Sequence, residues 1–217
     1  MMKKYDFIIF DLDGTIIDPS IGITNSILYS SKKLGVEPRS REDLLKFIGP
    51  PLIDSFKKFF GFSEERAKIA IKYYREYFKD KGVLECSLYD GIEDILKALK
   101  QKGKRLAVAT TKPEIFAIEV LEHFNLDSYF EFVAGSNLDG TRVDKGELIT
   151  YALESCGIRN LNEAIIIGDR KHDILGAKKV GIDSMGILYG FGDREEFEDA
   201  GATYIADSPR GILEFLI

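Results

Sequence analysis

Cysteine is scarce in this chain, and the scarcity removes two kinds of chemistry. Its two cysteines, Cys86 and Cys156, lie far apart, match no zinc spacing and open no Cys-x5-Arg loop. We read them as reduced structural thiols rather than as a disulfide framework. Long apolar runs are missing too. No stretch approaches the ~18 apolar residues of a membrane span. The run Phe7–Phe10 that follows Lys3 and Lys4 is too short for a signal-peptide core and ends in acidic residues. Cytoplasmic residence, without a membrane partner, is the expectation. A surplus of positive charge is also lacking: the formal net charge is -6. A broad basic surface for a nucleic-acid polymer is therefore not expected, and an anionic substrate would need local cations or a metal.

What is present is an ordinary globular composition, 45% hydrophobic and 30% charged over 217 residues, enough for one good-sized core with a small inserted domain. Short apolar runs at 7–10, 106–109, 132–134, 165–167, 185–188 and 204–205 read as buried strands. Helical patterns at 92–102, 114–124, 147–156, 174–180 and 210–216 lie between most of them. Strand and helix alternate, which predicts a parallel α/β sheet. From about Ser20 to Gly82 no strand is evident, and helices are expected at 21–34, 41–47, 51–60 and 64–81, punctuated by Gly35, Pro38, Gly49, Pro50 and Gly61. The expected organisation is a discontinuous core, 1–18 and 86–217, with an all-helical insertion at 19–85.

In open parallel sheets ligands bind beyond the carboxyl ends of the strands. There the sequence places Asp11-Leu12-Asp13-Gly14-Thr15, then Thr110-Thr111-Lys112-Pro113, then Lys145, then Gly168-Asp169 with Asp173. Four carboxylates, a hydroxyl and an ammonium suit phosphoryl transfer. Hard divalent cations such as Mg2+ favour oxygen ligands, which Asp11, the carbonyl of Asp13 and Asp169 can supply. A carboxylate nucleophile divides hydrolysis into two easier displacements, and Asp11 is the candidate. Asp13 is placed to protonate the leaving alkoxide and then take a proton from water. Hydrolysis of phosphate monoesters calls for rate enhancements of up to ~10²¹, so several groups must share the task. The Thr110 hydroxyl can hold phosphoryl oxygens and the Lys145 ammonium can neutralise them. Thr15, Thr111 and Lys112 are candidate substrate contacts.

These four ordered segments resemble the motifs of the haloacid dehalogenase-like phosphatases, and the resemblance spans the chain. It implies a Rossmann-like core with an inserted helical cap, Asp11 as nucleophile, Asp13 as acid and base, and Mg2+ as cofactor, held by Asp11, Asp13, Asp169 and, directly or through water, Asp173. Thr-Thr-Lys-Pro at 110–113 is similar to the Thr-Asn-Lys-Pro of phosphoglycolate phosphatases. The segment from Gly168 to Lys178, with Gly186–Gly192, is similar to a bacterial group described as 5′-nucleotidase-like. Thr111 stands where asparagine is common.

Each feature also has a structural reading. Asp11–Gly14 can be turn chemistry, Thr110 an N-cap, Lys145 a solvated side chain, and Asp169 and Asp173 helix-terminal acids. An EF-hand loop is ruled out because Ile16 and Gly22 occupy its glycine and glutamate positions. His172-Asp173 suggests a His-Asp metal site, but His123 is the only other histidine. The aromatics Phe47, Phe56, Phe59, Phe60, Tyr73, Tyr74, Tyr77 and Phe78 read as packing. The loop Gly49-Pro50-Pro51 is either a helix break or a contributor to substrate choice. The leading expectation is a phosphatase acting on a small phosphorylated metabolite as monomer or homodimer. A phosphomutase, a phospho-aspartate receiver and a sugar-phosphate-binding regulator are the alternatives.

Overall fold

A strand covered on both faces must be apolar at successive positions, and Phe7–Phe10 is buried at all four. The computed structural model describes residues 5–37 and 40–217. The readings that involve Lys3, Lys4 and Pro38 lie outside them. In chain order the elements begin with β1 (Phe7–Phe10), β2 (Ile17–Asp18), α1 (Ser20–Lys33), α2 (Arg41–Leu45), α3 (Leu52–Phe60), α4 (Glu64–Tyr77) and β3 (Ser87–Leu88). They continue with α5 (Ile92–Gln101), β4 (Arg105–Pro113), α6 (Glu114–His123), β5 (Phe132–Ser136), α7 (Lys145–Ser155), β6 (Ala164–Gly168), α8 (Lys171–Val180), β7 (Asp183–Ile187), α9 (Arg194–Ala200), β8 (Tyr204–Ala206) and α10 (Pro209–Leu216).

The chain divides into two compact units, Met1–Ile17 with Leu88–Ile217, and Asp18–Ser87. These bounds fall within a residue or two of 18/19 and 85/86. The difference lies at two short strands, β2 and β3, which pair as a separate two-stranded sheet where the chain leaves and re-enters the first unit. Two-residue strands carry no readable period in the sequence.

The first unit holds a six-stranded sheet of order β5-β4-β1-β6-β7-β8. All its pairings are parallel. Strand alternation sends Phe7 and Ile9 to one face, where they pack with Leu148, Ile149, Ala152 and Leu153 of α7 and Ala177 of α8. Ile8 and Phe10 take the opposite face. Burying each such side chain contributes about 1.5–3 kcal/mol, so the central strands are firmly placed. Phe10 lies level with Val108 and with Ile167. The next residue of each strand therefore reaches the same carboxyl edge of the sheet.

β4 runs further than 106–109. Its register against β5 is regular to Ala109, breaks, and resumes where Pro113 meets Ser136. Thr110, Thr111 and Lys112 thus form an irregular segment inside a strand rather than a loop after one. α9 carries no recognisable period because only Phe197 and Ala200 of its seven residues are buried. Its start was nevertheless encoded by Asp193, whose side chain accepts from the Glu196 N–H.

The second unit is helical from Ser20 onward. α2 stops at Leu45, short of Phe47, and Phe47 instead packs against Phe56, Phe59 and Phe60 with ring centroids 5.2, 5.3 and 5.9 Å away. The helix expected to reach 81 is α-helical to Tyr77 and then widens into a π turn, Phe78–Gly82. Gly49, at φ 100, turns the chain between α2 and α3, a conformation that favours glycine, and Pro51 stands at the N-cap of α3.

Candidate active site

The first candidate segment leaves β1 as a tight turn. The N–H groups of Thr15, Ile16 and Ile17 all point to the Leu12 carbonyl, and Gly14 donates to Ile17 at 2.8 Å. Gly14 sits at φ +83, and a Cβ there would overlap the Asp169 carboxylate. Both facts call for glycine. The turn is anchored on the sheet by the Asp11 N–H, which donates to Ile167 at 2.9 Å.

Asp11 is buried beyond the end of β1. Its Oδ1 accepts the Leu12 N–H at 2.7 Å and lies 3.0 Å from Lys145 Nζ. Lys145 opens α7, N-capped by Asp144, and is itself buried, with a side-chain exposure of 4%. Its ammonium also reaches Asp173 Oδ1 at 2.8 Å and donates to the Ala109 carbonyl at 3.0 Å. Burial opposes the charge on Lys145, but Asp11 and Asp173 outweigh it and hold its pKa above the ordinary lysine range.

Asp169 and Asp173 come from the turn between β6 and α8. Asp173 accepts the Arg170 N–H at 3.2 Å, so it does cap the helix, and it faces the site as well. Burial pushes its carboxyl up to about 6, against the pull of Lys145. Asp169 is buried with one hydrogen bond among the described residues, from the Phe191 N–H at 2.9 Å. Burial, then the charges of Asp11 and Asp173, raise its pKa well above the carboxylate range.

Asp11, Asp169 and Asp173 each offer an oxygen within 4.8 Å of the others. Of these three buried carboxylates the Lys145 ammonium contacts Asp11 and Asp173, which leaves an excess of negative charge that a low-dielectric site tolerates poorly without a further cation. Hard oxygen donors at this spacing fit a divalent cation such as Mg2+. Asp169→Asn removes a buried carboxylate that forms no ion pair among the described residues. In chelator-treated protein it is expected to raise the melting temperature by a few degrees, and a fall would show that Asp169 is stabilising as a bare anion.

The remaining candidates occupy distinct positions. Asp13, whose side chain is 21% exposed, pairs with Lys112, which is 3% exposed. Thr110 is buried and its hydroxyl accepts the Lys112 N–H at 3.2 Å. Thr111 contributes its carbonyl to the Ser136 hydroxyl at 2.8 Å. Thr15 is fully buried, its hydroxyl has no hydrogen-bond partner among the described residues, and its carbonyl accepts from the Tyr189 hydroxyl at 3.0 Å. Gly49 and Pro50 belong to the helical unit, in the bend between α2 and α3.

Sequence reasoning used the run Gly186–Gly192 only as a resemblance and gave the turn at 189–192 no role in the site. Phe191 fixes Asp169 through its backbone, and a Cβ at Gly190 would overlap Asp169 and the Gly14 carbonyl. The Tyr-Gly-Phe-Gly run was the available signal, since alternating glycines mark close backbone approach.

A haloacid dehalogenase-like hydrolase family model matches residues 8–187, and the chain belongs to that family. Its chemistry is that of a phosphatase, a phosphoric monoester hydrolase. It is similar to a 5′-nucleotidase of Pseudomonas aeruginosa, 44% identical over 97% of this chain and 96% of that one. A crystal structure of a predicted phosphatase from Clostridium acetobutylicum superposes with TM-score 0.91 at 47% identity, covering 97% of this chain and 99% of that one. The tyrosine-protein kinase PtkA of Mycobacterium tuberculosis is 36% identical over 91% of this chain and 67% of its own length. No helix among the described residues is long and apolar enough to cross a membrane.

Proposed function

We propose that this protein is a Mg2+-dependent phosphatase that hydrolyses a small phosphomonoester, a nucleoside 5′-monophosphate first among the candidates, through a phospho-aspartate on Asp11. The observation that carries this reading is the buried set of Asp11, Asp169 and Asp173, with Lys145 bridging Asp11 and Asp173 at the carboxyl edge of a parallel sheet. The similarity to a 5′-nucleotidase supports the substrate class; phosphoglycolate and sugar phosphates are the next candidates.

Asp11, Asp169, Asp173 and the Asp13 carbonyl would hold the cation, which supplies charge neutralisation of phosphoryl oxygens. Two donors on Asp11 Oδ1 fix the carboxylate and leave its other oxygen to attack phosphorus. A bond from Asp11 to phosphorus forms as the ester P–O bond breaks, and Asp13 gives its proton to the departing alkoxide. Asp13 then takes a proton from the water that attacks the phospho-aspartate, releasing inorganic phosphate and freeing Asp11. Lys112 now pairs with Asp13. Phosphoryl oxygens offer Lys112 a competing anionic partner, which releases Asp13 toward the leaving oxygen.

A screen with Mg2+ over nucleoside 5′-monophosphates, phosphoglycolate and sugar phosphates tests the proposal by measuring free phosphate. Chelation is expected to stop release and added Mg2+ to restore it. An isomerised product without free phosphate would make the protein a phosphomutase, and phosphate passed to a protein acceptor would make it a kinase. Asp13→Ala is expected to slow alkyl phosphates by at least about tenfold more than p-nitrophenyl phosphate, because general-acid catalysis contributes typically 10²–10⁴-fold and an aryl oxide needs little of it. Equal losses on both would remove Asp13 from the first displacement.

A further inference from the structure

The turn that delivers Lys145 begins with a conformation that asparagine or glycine would adopt more readily. Arg142, three residues before Lys145, sits at φ 55, in the left-handed region where a long side chain is uncommon. A non-glycine residue held there persists where its surroundings over-determine it.

The surroundings of Arg142 do so. Its Nη2 donates to the Asn137 side-chain oxygen at 2.6 Å, its Nη1 lies 3.5 Å from Glu114 Oε2, and its guanidinium sits 4.3 Å from the centroid of the Tyr151 ring in α7. Asn137 is locked in turn, its N–H donating to the Thr141 carbonyl at 3.0 Å and its side-chain nitrogen to the Thr141 hydroxyl at 2.8 Å. The β5–α7 connection is thereby folded on the guanidinium, with one end at the tip of β5 and the other at Lys145.

Glu114 is the first residue of α6, directly after Thr110–Pro113. The same oxygen that faces Arg142 accepts the Gly135 N–H of β5 at 3.3 Å, and a Cβ at Gly135 would overlap the Glu114 backbone. Next along β5, the Ser136 hydroxyl holds the Thr111 carbonyl. Two catalytic segments of different origin, the irregular end of β4 and the turn before α7, are therefore joined through one carboxylate and one guanidinium.

We propose that Glu114 and Arg142 are positioning residues that set the Lys145 ammonium against the Thr110–Lys112 segment. Neither touches the reacting groups. The inference rests on the reading of Thr110 and Lys145 given above and adds what holds them in register. A planar guanidinium that bonds Asn137, faces a carboxylate and stacks on a ring has no lysine equivalent.

The test is a double-mutant cycle on the phosphatase with Glu114→Gln and Arg142→Gly. Glycine accepts φ 55 without strain, so Arg142→Gly removes the side chain and relieves the backbone together. Each single variant is expected to lower kcat about ten- to a hundredfold, as small misplacements of catalytic groups do, with KM within about twofold of the parent. The double variant should lose little more than either alone. Arg142→Lys should fail to restore kcat, and the surface control Arg210→Gln should match the parent. Wild-type kcat in both single variants, or losses that multiply independently, would overturn the proposal. So would a kcat loss that disappears when assays are run well below each variant's melting temperature. Lys145→Met separates the two levels. If that variant is inactive while the Glu114 and Arg142 variants are normal, the positioning role alone fails; if it turns over normally, the reading of the site fails.

Discussion

Asp11→Asn is expected to abolish turnover while leaving the fold intact. The amide keeps the shape of the carboxylate and its oxygen can still accept the Leu12 N–H, so the turn from Leu12 to Ile17 has no reason to change. Lys145 keeps Asp173 as a partner. What is lost is the anion proposed to attack phosphorus and one of the four oxygens assigned to the cation. Removing a nucleophile in other hydrolases costs on the order of 10⁶ in kcat, and a loss of at least about 10⁴ is expected here. The melting temperature without metal should equal or exceed that of the parent, because one of three crowded buried carboxylates is gone. Acid-quenched parent protein should carry labelled phosphate that hydroxylamine removes, and the variant should carry none. Parental turnover in a variant shown by mass to retain asparagine would end the case for Asp11.

Some parts of this protein were legible in its sequence because a local signal matched a local structure. The strands of the sheet are runs of apolar residues since both faces are covered, and Phe7–Phe10 and Ala164–Gly168 are buried at every position. α9 was not legible because it lies on the surface with charges around one buried aromatic, so no period distinguishes it. The irregular segment in β4 was not legible either, since Thr110 to Lys112 leave the regular register for reasons set by Ser136 and Lys145 on other elements.

The site divides along the same line. That Asp11, Asp169 and Asp173 could converge follows from strand ends in a parallel sheet, but the weights of the cations do not. Lys112 reads as a candidate substrate contact, but its pairing with Asp13, 99 residues away, has no signal in the sequence. Arg142 and Glu114 are two charges in a chain rich in them until a positive φ and a shared carboxylate single them out.

The second large effect is expected from Lys145→Met, which keeps an unbranched stem one atom shorter and removes its charge. The stem fits closely: a Cβ at Gly176 would press on Cβ and Cγ of Lys145, so a straight thioether is tolerated better than a branched residue. Loss of the ammonium leaves Asp11 and Asp173 without their shared cation in a buried site. Removing one partner of a buried pair costs about 3–5 kcal/mol, so the variant should be both inactive and clearly destabilised in denaturant titrations. The two effects have separate origins and can be separated. Adding Asp173→Asn removes the carboxylate left most deeply buried, and the double variant should regain a good part of the lost stability with no recovery of turnover. Burial without a cation is the cause assigned to the instability, so a double variant less stable than Lys145→Met alone would refute that cause. Measurable phosphate release at the parental rate in either variant would remove Lys145 from the chemistry and leave it as the ion that lets two aspartates be buried side by side.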